Sequence, residues 1–272
     1  MKLYIVATPI GNLSDMSERA VSVLREVDFI AAEDTRHTLK LLNHFGISKP
    51  MTSYFEHNRR EKGEIIVKRI LSGETAALVS DAGTPAVSDP GEELVDLCFE
   101  NHIDVIPVPG PCAAVSALSA CGLPTGRFCF EGFLTMNRSS RREHLQSLKN
   151  ERRTLIFYEA PHKLLSTLRD FYEVFGDRRL TLARELTKIH EQIVRTTVGA
   201  AVAHYEETPP KGEFVLVLEG AAEEERIFEQ TPKEQLDGLI ASGMDKKEAI
   251  RQVARERGVP KREIYALTLE DD

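Results

Sequence analysis

The chain has 272 residues, 42% of them hydrophobic and 29% charged, an ordinary balance for a soluble globular protein with a well-buried core. That length suits two domains better than one, and a formal net charge of −8 argues against broad polyanion binding while leaving room for a local basic face. Cys98, Cys112, Cys121 and Cys129 form no CxxC pair and have no histidine at ligand spacing, so small-hydrophobe roles in a reducing compartment are expected, and no metal site. The opening MKLYIVATPIG breaks at Pro9 and Gly11 after an apolar run far too short to cross a bilayer. The expectation is neither a signal peptide nor an anchor, and a cytoplasmic location.

LYIVAT (3–8) reads as a buried strand, with a helix from Ser17 to Val27 after it. DFIAAE (28–33) is a second strand, followed by helices over about 38–45 and over 61–71, the latter with Ile65, Ile66, Ile70 and Leu71 on one stripe. TAALVS (75–80), a helix over 91–102 and DVIPV (104–108) complete this half. Strand and helix in alternation predict an α/β sheet covered by helices. After Gly122–Pro124 the pattern resumes with strands at 128–133, 154–159, 179–185, 192–198 and 213–220, and a helix from His162 to Phe175. The later strands lack long crossovers, which predicts a mixed or largely antiparallel second sheet. Beyond the acidic linker AAEEER (221–226), helices are expected at 233–242, 246–257 and 261–267, with Gly243 and Gly258 as stops and Asp245 and Pro260 as starts. This third piece reads equally as a helix-turn-helix unit or as a helical cap. The division is therefore 1–121, 122–222 and 223–272.

Open α/β sheets bind ligands in the loops at the carboxyl ends of their strands. ATPIGN (7–12) is not a GxGxxG fingerprint, yet Pro9 and Gly11 allow a ligand close to the backbone. SDAGTPAVSDPG (80–91) carries more Asp and Pro than a plain turn needs. Asp81 sits where a carboxylate can accept from ribose hydroxyls or an amino group, Gly83 and Pro85 shape the backbone around it, and Ser88 or Asp89 is read as a cap for the next helix. VPGPCAAVSAL (108–118) turns at Gly110–Pro111 into a helix of small residues whose free N–H groups and flat surface suit a carboxylate and an adenosine. No loop has the Lys-Ser/Thr of a P-loop, which argues against nucleoside triphosphate hydrolysis.

ATPIGNL, EDTR (33–36), SDAGTPAVSDPG, PGPCAAVSAL, YEAPHK (158–163), RELTKIHE (184–191) and GEFVLVLEG (212–220) occur in that order. Together they resemble the small-subunit ribosomal RNA cytidine 2′-O-methyltransferases of the tetrapyrrole-methylase superfamily. The resemblance implies two α/β domains of that type with a helical extension, S-adenosyl-L-methionine as cofactor in the cleft between them, 16S-type ribosomal RNA or the small subunit as partner, and a homodimer. It places Pro9, Asp81, Gly83, Thr84, Pro111, Cys112, Ala113, Tyr158, Ala160, Ala183, Glu213 and Phe214 at the cofactor. The sequence departs from the family pattern at Ala86, where Gly is usual, at Cys112, where Ser is commoner, and at Thr135, where Pro is common.

A sulfonium donor carries its own leaving group, so the chemical demand is to make a ribose hydroxyl nucleophilic. Positioning supplies part of that, and a base or a nearby cation supplies more. RELTKIHE is the richest source: Lys188 is the first choice to polarise or deprotonate the hydroxyl, with Glu185 or Glu191 as its orienting partner. Glu33, Asp34 and Arg36 form a second group in which Arg36 can hold a phosphate, and His57 and Asn58 are read toward the same cleft. RNA contact is expected at Arg36, at Arg59 and Arg60, and along the basic run 137–153 through Arg138, Arg141 and Arg142. Two other readings stand beside this one: a methyltransferase acting on a tetrapyrrole or other small molecule, and a non-catalytic RNA-binding or assembly factor.

Overall fold

Successive side chains of a strand point to opposite faces, so a strand that is apolar at every position must be covered on both. The strand β2 (Phe29–Ala32) is of this kind: Phe29 and Ala31 join one core and Ile30 and Ala32 the other. The computed structural model describes residues 1–222, 228 and 230–268, and places β2 in a wholly parallel sheet. Its companions are β1 (Lys2–Val6), β3 (Met51–Ser53), β4 (Ala76–Val79) and β5 (Asp104–Val108), in the order β3-β2-β4-β1-β5. Helices α1 (Glu18–Glu26) and α2 (Thr35–His44) cover one face through Val23, Leu24 and Leu42. On the other face lie α3 (Arg59–Leu71) and α4 (Glu92–Glu100), through Ile66, Ile70, Leu94 and Cys98.

The strand β3 has no counterpart in the sequence reading, because three half-buried residues are too few to show a period. Asp34 caps α2 with its side chain on the Arg36 N–H, which starts that helix three residues earlier than its apolar pattern does.

A second sheet holds β6 (Phe128–Phe133), β7 (Thr154–Glu159), β8 (Arg179–Arg184), β9 (Gln192–Thr197) and β10 (Phe214–Leu218), in the order β6-β7-β10-β8-β9. Only β6 and β7 are parallel, so the sheet is mixed and largely antiparallel. The helices α6 (Arg138–Ser147), α7 (Pro161–Phe175) and α8 (Val198–Glu207) bury one face through Leu145, Leu164, Phe171 and Val198. Against the other lies α5 (Ala113–Ala120), whose Ala114, Ala117 and Leu118 pack on Ile156, Ala183, Val215 and Val217. The helix at the end of residues 1–121 therefore packs on the second sheet, and by contacts residues Met1–Ala221 form one unit.

The remaining unit begins at Ala222. It contains α9 (Pro232–Ala241), α10 (Lys246–Arg257) and α11 (Lys261–Ala266), packed around Leu236, Ile250, Val253 and Ile264. Thr231 and Glu234 form a capping box with Pro232 at the first position, Asp245 caps α10, and Gly258 ends it in the left-handed conformation. Most of the acidic linker (223–226) lies outside the described residues.

Candidate active site

Three loops at the carboxyl ends of β1, β4 and β5 close on one another. Thr8 and Gly83 exchange backbone hydrogen bonds at 2.8 and 3.0 Å, and Thr8 Oγ1 donates to the Ser80 carbonyl at 3.2 Å. Gly83 has φ of 85°, a region that L side chains rarely adopt. Thr84 Oγ1 donates to the Pro111 carbonyl at 3.1 Å, tying the second loop to the third. These loops meet the ends of β7, β8 and β10 around a cavity of about 360 Å³, a volume typical of small-molecule sites.

The wall brings together Asp81, Gly83, Thr84, Cys112, Ala113, Tyr158, Ala160, Ala183, Glu213 and Phe214, all expected at the cofactor, and also Lys188 and Glu185. Pro9 and Pro111 are not part of it; Pro111 stands behind the wall as the acceptor for Thr84. Ile10, Val87, Leu186 and Val215, which lie within the motifs but are not among the expected site residues, and Phe133 at the end of β6 add apolar surface. Ala86 and Ser88 adopt φ of 64° and 63°, so the family's usual glycine is replaced where a side chain is strained.

Glu33 lines the same cavity, because β2 and β4 are neighbours and their ends bring Glu33 beside Asp81. Glu33 accepts the Asp81 N–H at 3.2 Å and Asp81 accepts the Asp34 N–H at 3.1 Å. Asp89 does not cap α4, whose N-cap is Gly91 without a side-chain hydrogen bond, and neither does Ser88. Instead Asp89 faces the cavity, where burial and the charges of Glu33 and Asp81 push its carboxyl up to about 6. Burial also raises Glu33, against the hydrogen bond it accepts. Tyr158, packed edge-on against Phe130 and Phe133, is pushed up to about 12 by burial, and its hydroxyl accepts the Ala114 N–H at 3.1 Å.

Lys188 Nζ donates to Glu185 Oε1 and to Glu213 Oε2, each at 2.9 Å. Burial works against its charge, but the hydrogen bonds to Glu213 and Glu185 outweigh it and raise its pKa. The ammonium is thus held protonated, which favours a polarising over a proton-accepting role. Glu191 is not its partner: that carboxylate accepts the Thr187 backbone N–H and lies off the cavity wall. The turn carrying Lys188 is strained, with φ of 50° at Glu185 and 66° at Thr187.

The proposed RNA contacts divide. Arg141 is a correction: its side chain is buried and holds the buried carboxylate of Asp170 at 2.6 Å, so it has no surface to offer a phosphate. Arg142 pairs with Asp170 and Glu173, while Arg138 stays largely exposed 3.9 Å from Asp170. Arg59 pairs with Glu93, Arg60 is exposed, and Arg36 folds back on Asp34. Asn58 braces its own loop through Phe55 and Ser53, and neither it nor His57 lines the cavity. Among the described residues no group of three or more His, Cys, Asp or Glu is arranged to hold a metal, and no helix is long and apolar enough to cross a membrane.

The sequence profile described as Tetrapyrrole (Corrin/Porphyrin) Methylases matches residues 2–202. A protein of Synechocystis sp. named Ribosomal RNA small subunit methyltransferase I is 52% identical to this chain, over 98% of this chain and 97% of the relative. One of the same name from Halalkalibacterium halodurans is 50% identical over 97% and 93%. In fold, the chain is similar to uroporphyrin-III C-methyl transferase from Thermus thermophilus, solved in complex with S-adenyl homocysteine. The TM-score is 0.56 at 18% identity, covering 80% of this chain and 97% of that one. The chain belongs to the tetrapyrrole methylase family.

Proposed function

We propose that this chain is an S-adenosylmethionine-dependent methyltransferase that methylates small-subunit ribosomal RNA, and that its acceptor is the ribose 2′-hydroxyl of a cytidine. The near-full-length identity with relatives of that name carries the reading. The cavity fits the cofactor: carboxylates of Glu33, Asp81 and Asp89 offer a cation favourable charge, and Ile10, Ala113, Phe133 and Phe214 offer apolar surface to a flat base. Bound there, S-adenosylmethionine supplies a methyl group on a sulfonium whose leaving group departs as a neutral thioether.

The chain's own residues supply position and charge. Lys188, oriented by Glu185 and Glu213, keeps its proton at Nζ and directs the ammonium at a hydroxyl brought to the cavity mouth. That charge lowers the hydroxyl's pKa and stabilises the oxygen as negative charge develops on it, and the hydroxyl proton passes to solvent water as the O–C bond forms and the C–S bond breaks. Asp81, Thr84, Cys112 and Ala113 hold the cofactor, with Tyr158 fixing the start of α5. Arg36, Arg59, Arg60, Arg138 and the exposed edge of Arg142 contact RNA phosphates. The enzyme acts in the cytoplasm, where its substrate is made, and as a homodimer, which sedimentation tests directly.

Transfer of labelled methyl from S-adenosylmethionine to small subunits, followed by nuclease mapping, tests the reading. Label at a cytidine 2′-oxygen supports it. Label only in a porphyrin precursor, or cofactor binding without transfer, replaces it with one of the two alternatives.

A further inference from the structure

Between Thr231 and Thr268 the chain carries eight Lys and Arg against six Asp and Glu, a positive segment in a protein of net charge −8. The structure sorts these charges by face. On α10 the buried positions are Ala249, Ile250, Val253 and Ala254. Along the flank beside them, Lys247, Arg251 and Arg255 follow at intervals of four residues and are all exposed. A helix rises 1.5 Å per residue, so these cations stand about 6 Å apart along one stripe. Beyond the turn at Gly258, Lys261 and Arg262 open α11 and are exposed, as is Tyr265 one turn later.

Three of the six acids between Thr231 and Thr268 are used elsewhere. Glu234 is bound in the capping box with Thr231, Asp245 caps α10, and Glu256 accepts amide hydrogens from Gln235 and Gln252. Arg257 is the cation that turns inward, bonding Gln235 and the Gln230 carbonyl and lying over the Phe228 ring. None of Lys247, Arg251, Arg255, Lys261 or Arg262 meets a carboxylate at ion-pair distance among the described residues. Five exposed cations that meet no carboxylate among the described residues, with one exposed aromatic ring, on consecutive helices are the composition of a surface that neutralises a polyanion and stacks on a base.

We propose that the face formed by Lys247, Arg251, Arg255, Lys261, Arg262 and Tyr265 binds the sugar–phosphate backbone of ribosomal RNA, separately from the cavity that holds the methyl donor. This partner rests on the proposed function; the surface itself rests on its charge and exposure. Evenly spaced cations on a helix suit a regular run of phosphates, and their contacts hold the substrate without reading its sequence. The helical unit acts as a tether that keeps RNA near the enzyme.

The test uses the full chain and protein-free small-subunit RNA, with affinity measured across a salt series. The triple variant Lys247→Glu, Arg251→Glu, Arg255→Glu should bind more weakly, and its log K against log salt slope should fall by about 2–3. Arg251→Lys with Arg255→Lys, which keeps the charge, should retain parental binding. Cofactor affinity by calorimetry and the circular dichroism of all variants should match the parent. An unchanged slope in the triple variant overturns the inference, whatever the enzyme methylates. A loss seen with intact subunits but not with protein-free RNA also overturns it and assigns the face to an acidic protein. If the parent binds RNA through this face but methylates none, the inference stands and the proposed activity falls.

Discussion

The stem of Lys188 lies so close to Gly11 that a Cβ added at residue 11 would stand 2.5 Å from Lys188 Cγ. It would also stand 2.9 Å from Thr187 Oγ1 and 3.2 Å from the Leu186 carbonyl, so the loop after β1 sets where the 186–188 turn can rest. Carbon atoms prefer separations of about 3.5–4.0 Å, and an alanine at 11 must therefore displace that turn. Gly11→Ala should lower single-turnover methyl transfer by about 10–100-fold through misplacement of the ammonium, while cofactor affinity stays close to parental. In a Lys188→Met background the same change should do little more. Fully additive losses would show that residue 11 acts on something other than Lys188.

Lys188 itself is held charged by Glu185 and Glu213, with its pKa raised above the ordinary 10.5. Lys188→Met should keep folding and cofactor binding but lower single-turnover transfer by roughly 10²–10⁴-fold, the scale of acid–base and charge assistance. Lys188→Arg should recover part of that rate, since an arginine supplies charge but accepts no proton. In the parent, transfer should persist through neutral pH and decline only as the lysine loses its proton in strong alkali. A rate that instead climbs as a lysine deprotonates would make Lys188 the base.

The loops after β1, β4 and β5 were legible because Pro, Gly and Asp mark strand ends in the sequence, and Asp81, Gly83, Thr84, Cys112 and Ala113 all reach the cavity. Sheet order was not legible. Nothing local says that β2 neighbours β4, so the pairing of Glu33 with Asp81 emerges only from topology. Asp89 was misread because an acidic residue just before a helix is an ordinary cap signal, and its burial depends on packing between distant segments. Arg141 shows the same limit: on a basic run one helical face meets Asp170 of α7, and only the three-dimensional fold separates it from its exposed neighbour Arg138. Short helices with strong caps, such as α9 and α10, were read nearly to the residue.

Arg141 and Arg138 should therefore separate stability from RNA affinity. Arg141→Met strips the buried Asp170 carboxylate of its closest cation, leaving the longer contact from Arg142. Arg142 at 3.2 Å and Arg138 at 3.9 Å still compensate the charge, so the loss is that of a buried acceptor deprived of its best hydrogen bonds, about 1–3 kcal/mol. Urea denaturation should record it, while RNA affinity of the folded fraction remains parental. Arg138→Gln, which removes the exposed cation without setting a negative charge beside Asp170, should do the reverse, leaving the urea midpoint nearly unchanged and weakening RNA binding in a salt-dependent way. Equal effects of the two variants on RNA affinity would return Arg141 to the interface.

Asp89 makes stability depend on pH in a direction opposite to that of a salt-bridged carboxylate. Burial and the charges of Glu33 and Asp81 raise it from 3.8 to about 6, so within that window the folded protein holds a proton that the unfolded chain has released. Stability is free of this cost below pH 3.8, declines as pH rises toward about 6, and carries the full cost above it. Glu33, raised by burial, adds in the same sense. Asp89→Asn removes the titration and keeps a side chain of similar size. Without cofactor, its Tm should exceed the parent's at neutral pH, and the two curves should converge as the pH falls toward 3.8. In calorimetry over the same series, cofactor affinity of the parent should weaken as Asp89 gains its proton, because a neutral carboxyl attracts a sulfonium less. The Asn variant should start weaker and show a smaller change. Melting curves that stay a constant distance apart across the series would show that Asp89 keeps its ordinary pKa and that the cavity floor is wetter than its packing indicates.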